Sequence, residues 1–143
     1  KCVREFSQKL LSFGTRNMTN PTLRPFAIQL LKIAAQWNYL TTRLMVMATR
    51  DRETVSSASY DYLMYSGFAM MAYFWAVMAA KAQEKLNNGD GEQAAEFYEA
   101  KIATAEFYYE RLLPRAKGHA DAMLKPSKTL LKINADDFSF DYE

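Results

Sequence analysis

The chain has one histidine, His119, and one cysteine, Cys2. Any Ser-His-Asp or Cys-His nucleophilic arrangement would have to pass through that imidazole. His119 follows Gly118 near an expected helix break, and no G-x-S-x-G turn is available to lift a serine into reach. Its expected place is therefore a surface or a helix cap. A di-iron bundle would need Glu-x-x-His pairs on inward faces, but the residue three before His119 is Ala116. One thiol cannot build a cysteine zinc cage. Nor can it form an intrachain disulfide, which fits a reducing compartment. Cys2 reads as an incidental thiol.

Phosphate-binding turns are missing in the same way. Neither G-x-G-x-x-G nor G-x-x-x-x-G-K-[ST] occurs, and the five glycines are scattered. Glu96 with Glu99, and Glu106 with Glu110, are carboxylates close together on one helix. A general base needs a pocket that shifts its pKa, so these four read as a solvated face. Arg111, Arg115, Lys117, Lys125, Lys128 and Lys132 could meet an anionic ligand, but they also suit helix C-termini and solubility. The net charge of +2 is too small to imply a nucleic-acid or membrane partner. Met45, Met47, Met64, Met70, Met71 and Met78 could line an adaptable groove; at helical spacing the expectation is core. No catalytic, cofactor-binding or metal-binding residue is assigned within the chain.

The elements that would position these groups are helical. With 143 residues, half of them hydrophobic, the chain has the size of one domain with a real core. Val3, Phe6, Leu10 and Phe13 set a leading helix, which Gly14 and Thr15-Arg16-Asn17 are expected to end. Thr22 is the expected N-cap of the next helix, with Pro25 in its first turn. Phe26, Leu30, Ile33, Trp37, Leu40, Leu44 and Met47 then alternate steps of four and three, the seam of a helix packed nearly antiparallel to a neighbour.

Arg50 to Glu53 is a polar turn. A long helix follows from about Tyr60 to Leu86, with Thr54 to Ser59 leading into it. Residues 62 to 80 carry no charge. Its expected buried stripe is Tyr60, Met64, Gly67, Met71, Phe74 and Met78, with Leu63, Met70 and Val77 on a second apolar face. Apolar residues all round predict burial on most sides, and Gly67 is expected to mark a close helix crossing. The uncharged stretch also reaches the length of a membrane span, but its tyrosines run through the segment instead of gathering at its ends.

Gly89 is expected in a left-handed C′ position and Asp90 as the next cap. The fourth helix, from near Glu92, carries Tyr98, Ile102, Ala105, Tyr109 and Leu112. Pro114 should kink it, with helix resuming from Arg115 to Leu124. Leu130, Leu131 and Ile133 can form one more turn. Phe138 or Phe140 is expected to pack back on the bundle. The predicted fold is all-α: an up-down bundle of about four main helices with a kinked last helix.

Two stretches carry a resemblance. Tyr60-Asp61-Tyr62-Leu63, followed by Gly67, Ala72, Trp75, Met78 and Ala79, resembles the long helix of the extra C-terminal domain in one branch of the acyl-CoA dehydrogenases. Ala100-Lys101-Ile102-Ala103-Thr104-Ala105, with Phe107-Tyr108 and Arg111-Leu112-Leu113-Pro114, is similar to a second segment of that domain. The resemblance covers about Phe26 to Phe140. It implies residues 1–21 as a leading helix and linker ending a preceding region, and 22–143 as the accessory bundle.

The same resemblance implies an enzyme that desaturates acyl-CoA thioesters between the α and β carbons. Hydride passes to FAD, and electrons pass on to an electron-transfer flavoprotein. The catalytic glutamate and most FAD and CoA contacts would lie in upstream domains of the same chain, so this segment is expected to hold no cofactor and to be inactive alone. A homo-oligomer in the cytoplasm is expected, with the domain stabilising the catalytic body or the oligomer. The alternatives are a free-standing helical interaction module and, more weakly, a membrane-associated bundle.

Overall fold

A computed structural model describes the backbone of residues 2–133 and the side chains of residues 3–133. The readings of the Cys2 thiol and of Phe138 and Phe140 lie outside the described residues. The order is α1 (Cys2–Asn17), α2 (Arg24–Ala48), α3 (Glu53–Asn88), α4 (Ala95–Phe107) and α5 (Ala116–Met123). Among the described residues there is no strand. A π-helical turn (Tyr108–Leu112) and a 3₁₀ turn (Leu113–Arg115) join α4 to α5 as one bent rod. The architecture is the predicted bundle, with the kink placed by Pro114, which has no N–H to continue an α-helical ladder.

α1 packs on α2, and α3 packs on α2, α4 and α5. Leu10 and Phe13 of α1 join the same buried cluster as the α2 seam. Phe6 sets its ring edge against Trp37 and Tyr73. On α2 the seam is buried from Phe26 to Leu40, while Leu44 and Met47 stay half-buried.

Several local expectations are corrected. Gly14 itself does not end α1, which closes at Asn17, the last residue of the expected polar stop. It is the close crossing instead: a Cβ there would lie 2.7 Å from Leu31 Cγ and 3.1 Å from the Ala27 carbonyl oxygen. Thr22 does not cap α2, whose N-cap is Leu23 with no side-chain bond. The Asn20 side-chain oxygen turns the chain there, accepting from the backbone N–H groups of Thr22 and Leu23. Gly89 closes α3 at φ 66°, as its position required. Asp90 caps nothing, because α4 begins only after Ala94; its carboxylate pairs with Lys85 at 3.4 Å.

The largest correction concerns α3. Its buried face is Tyr65 together with Ala69, Ala72, Ala76, Ala79 and Ala82, below Thr54 and Ala58. Alanines bring the helix axes close, and the neighbours then reach the α3 backbone. The Tyr108 hydroxyl donates to the Phe68 carbonyl at 2.9 Å, and that of Tyr109 to the Ala72 carbonyl at 2.8 Å. From α3 itself, Tyr65 donates to Gln36 Oε1 at 3.0 Å and lies 3.3 Å from the Ile33 carbonyl. Burial holds all three phenols protonated: Tyr108 is pushed up to about 12, and Tyr65 and Tyr109 further still.

Candidate docking surface

The large apolar side chains of α3 point away from the alanine face. Leu63 is 69% exposed, Met71 45%, Phe74 46% and Met78 38%, with Met70 and Val77 similar. At 3.6 residues per turn they span an arc of about 120°. Gly67 lies in that arc with nothing within 4 Å of an added Cβ. The methionines expected in the core are therefore largely surface: Met45, Met70, Met71 and Met78 are exposed, and Met47 and Met64 half-buried. Periodicity found a stripe but not its direction. The signal that could have found the true inner face was the alanine spacing at 69, 72, 76 and 79, because small residues permit close approach.

α3 is long and apolar enough to cross a membrane by length and composition. α2, α4 and α5 also pack along it, Phe6 of α1 meets Tyr73 and Phe74, and His119 and Tyr108 meet Phe68 and Trp75. The remaining side is the exposed Leu/Met face, with Phe74 at its edge. Monomeric proteins rarely leave a continuous apolar strip of this kind uncovered.

His119 is neither a surface nor a capping residue. Its Nδ1 lies 2.8 Å from Asp61 Oδ1, and the ring sits between Tyr60 and Phe68, tying α5 to α3. No nucleophile accompanies it. Glu96, Glu99, Glu106 and Glu110 are all exposed, and so are the basic residues from Arg111 to Lys132. Among the described residues no three His, Cys, Asp or Glu side chains gather as metal ligands.

A second polar junction, which sequence reasoning missed, sits at the α2–α3 turn. Asp51 accepts from the Glu53 backbone N–H, from Thr54 Oγ1 and from Ser127 Oγ. Thr54 and Ser127 are each 2% exposed. These bonds hold the Asp51 carboxyl below the usual aspartate value, with Ser127 the largest cause. A polar Asp-Arg-Glu-Thr turn carries no sequence sign that its partner lies 76 residues away.

Residues 3–134 match the family model described as "Acetyl-CoA dehydrogenase C-terminal like". The chain belongs to that family. No curated protein and no solved structure matches it. As a member of this C-terminal family, the domain is an accessory part of a larger chain.

Two clefts among the described residues differ in the chemistry of their walls. A groove of about 440 Å³ at the α2–α3 end is lined by residues such as Leu44, Met45, Val55 and Tyr62, with no charged side chain. A cleft of about 340 Å³ beside Lys32 and Lys117 is walled by Gln29, Gln36 and Pro114, with no glycine turn to seat a diphosphate.

Proposed function

We propose that this domain is a non-catalytic clamp that holds the upstream catalytic body of an FAD-dependent acyl-CoA dehydrogenase through the open face of α3. The whole enzyme would desaturate an acyl-CoA thioester and pass electrons to a carrier flavoprotein. FAD and the catalytic base would be carried upstream, in a homo-oligomer located in the cytoplasm. The observation that supports the clamp is the exposed strip around Leu63, Met70 and Met71, which α1 meets only at its edge, where Phe6 packs on Phe74. Membership of a C-terminal family supports the rest of the same chain as the occupant.

The test uses the full-length protein with Met71→Asp and Phe74→Asp. A charge placed in a desolvated apolar contact costs several kcal/mol. The double variant should therefore lose bound flavin and unfold at lower temperature, while Glu106→Gln on the exposed side of α4 leaves both unchanged. Unchanged flavin content and melting in the double variant would overturn the clamp. Loss of dimers with flavin still bound would move the contact to a second copy. Recovery of the variant only with an unrelated helical protein would favour the free-standing interaction module.

A further inference from the structure

The uncharged groove of about 440 Å³ opens at the turn end of the α2–α3 pair, between Thr41, Met45 and Ala48 of α2 and Val55, Ala58 and Tyr62 of α3. Its rims are bare: Met45 is 68% exposed and Val55 59%. The hydroxyls of Thr41 and Tyr62 lie 2.9 Å apart and satisfy one another. The walls therefore ask an occupant for apolar bulk and not for hydrogen bonds.

The same end of the bundle is where the described chain leaves it. Ser127 Oγ donates to Asp51, which stands three residues after Ala48 and four before Val55, about 6 Å along either helix. The Leu131 N–H donates to the Ser127 carbonyl at 3.2 Å, which keeps the chain within one turn of that tie. Residues 134–143 follow, outside the described residues, and read Asn-Ala-Asp-Asp-Phe-Ser-Phe-Asp-Tyr-Glu. Phe138, Phe140 and Tyr142 alternate with Asp137, Ser139, Asp141 and Glu143. A period of two gives an extended segment one aromatic side and one acidic side. From Leu131 to Phe138 such a segment spans up to about 23 Å, enough to round the turn and enter the groove. Arg50, Arg52 and Lys128 are exposed along that route, with Glu53 the exposed acid in the same turn, because Asp51 is taken up by Ser127 and Thr54. A tethered segment also meets its groove at an effective concentration near millimolar, which favours it over a separate chain.

We propose that residues 134–143 dock in this groove as an extended segment, with Phe138 and Phe140 seated between α2 and α3 and the acidic side laid against Arg50, Arg52 and Lys128. Docked there, the segment ties the end of the α4–α5 rod across the α2–α3 turn. The Asp51–Ser127 junction is then the pivot that aims it.

The experiment places the photo-crosslinking amino acid p-benzoylphenylalanine at Met45, and separately at Val55, in the full-length protein. Both sites are exposed enough to accept the ring. Irradiation followed by peptide mapping should give intrachain links to residues 134–143 from both sites. Phe138→Asp with Phe140→Asp should abolish those links. Arg50→Glu with Arg52→Glu should weaken them, and more so at low salt, where the reversed charges are least screened. Links to a second copy or to another part of the chain would overturn the proposal. So would no link from either site, or links that survive the double phenylalanine variant. Flavin content and melting decide the clamp and are not read here, so either reading can fail while the other stands.

Discussion

The two faces of α3 are built from the same uncharged stretch and do opposite things. The inner face is alanine, and its value lies in what it lacks: without side-chain bulk, α2 and the α4–α5 rod come close enough for Tyr108 and Tyr109 to bond the α3 backbone. The outer face is methionine, leucine and phenylalanine, and among the described residues it stays largely exposed, with Phe6 of α1 reaching only its edge at Phe74. A helix that is apolar all round need not be buried all round. Side-chain size, more than hydrophobicity, separates the side packed within the domain from the side offered to a neighbour.

That contrast can be broken by substitution. The largest effect should come from Ala72→Leu, which forces a larger side chain into a fully buried position whose carbonyl the Tyr109 hydroxyl reaches. Overpacking of this kind costs about 2–3 kcal/mol, and denaturant unfolding should show it. An equal midpoint for Ala72→Leu and the unaltered protein would mean the faces are assigned backwards.

Next come the two glycines. Gly14→Ala should destabilise by about 1–2 kcal/mol, since Leu31 and the Ala27 carbonyl must give way. Gly67→Ala meets no described atom and should raise the stability of the domain by about 0.5–1 kcal/mol through helix propensity. Thermal melts of the pair should therefore move in opposite directions. Movement in the same direction would show that the outer face is already packed.

Tyr109→Phe should cost about 1 kcal/mol. It removes one donor while the Ala72 carbonyl stays within its helix. Stability of this variant equal to that of the unaltered protein would reduce the phenol contacts to bystanders.

The smallest effect concerns acid. Asp51 has a lowered folded value, so its contribution is complete above the ordinary aspartate value of 3.8 and fades as the pH falls through the lowered one. Amide exchange near Ser127 should speed up on that acid limb while exchange in the α3 alanine face stays slow. Uniform exchange across both would deny the junction an independent role.

Much of this fold was legible in the sequence. The α2 seam, the Gly89 stop, the Pro114 kink and the lead-in from Thr54 each followed from spacing or backbone chemistry. The orientation of α3 was not, because with residues 62–80 uncharged no polar side marks the solvent, and large apolar residues outweigh alanine in any hydrophobic count. The candidate surface is hidden for the same reason, because methionines at helical spacing read as core. The ties His119–Asp61 and Asp51–Ser127 were beyond reach because their partners are brought together only by tertiary packing.

The first of those ties has a consequence for alignment of the rods. An alanine-lined trough is nearly uniform along its length, and helix carbonyls repeat at every turn. If the α4–α5 rod slid by one turn, about 5.4 Å, both phenols would find fresh carbonyls, and the sliding itself would meet little resistance from methyl groups. His119 would instead come opposite Tyr65 or Ser57, and neither is a carboxylate. The imidazole–carboxylate contact thus acts as an index mark for the alignment, with Asp51–Ser127 beyond α5 and Phe26–Tyr109 as further stops.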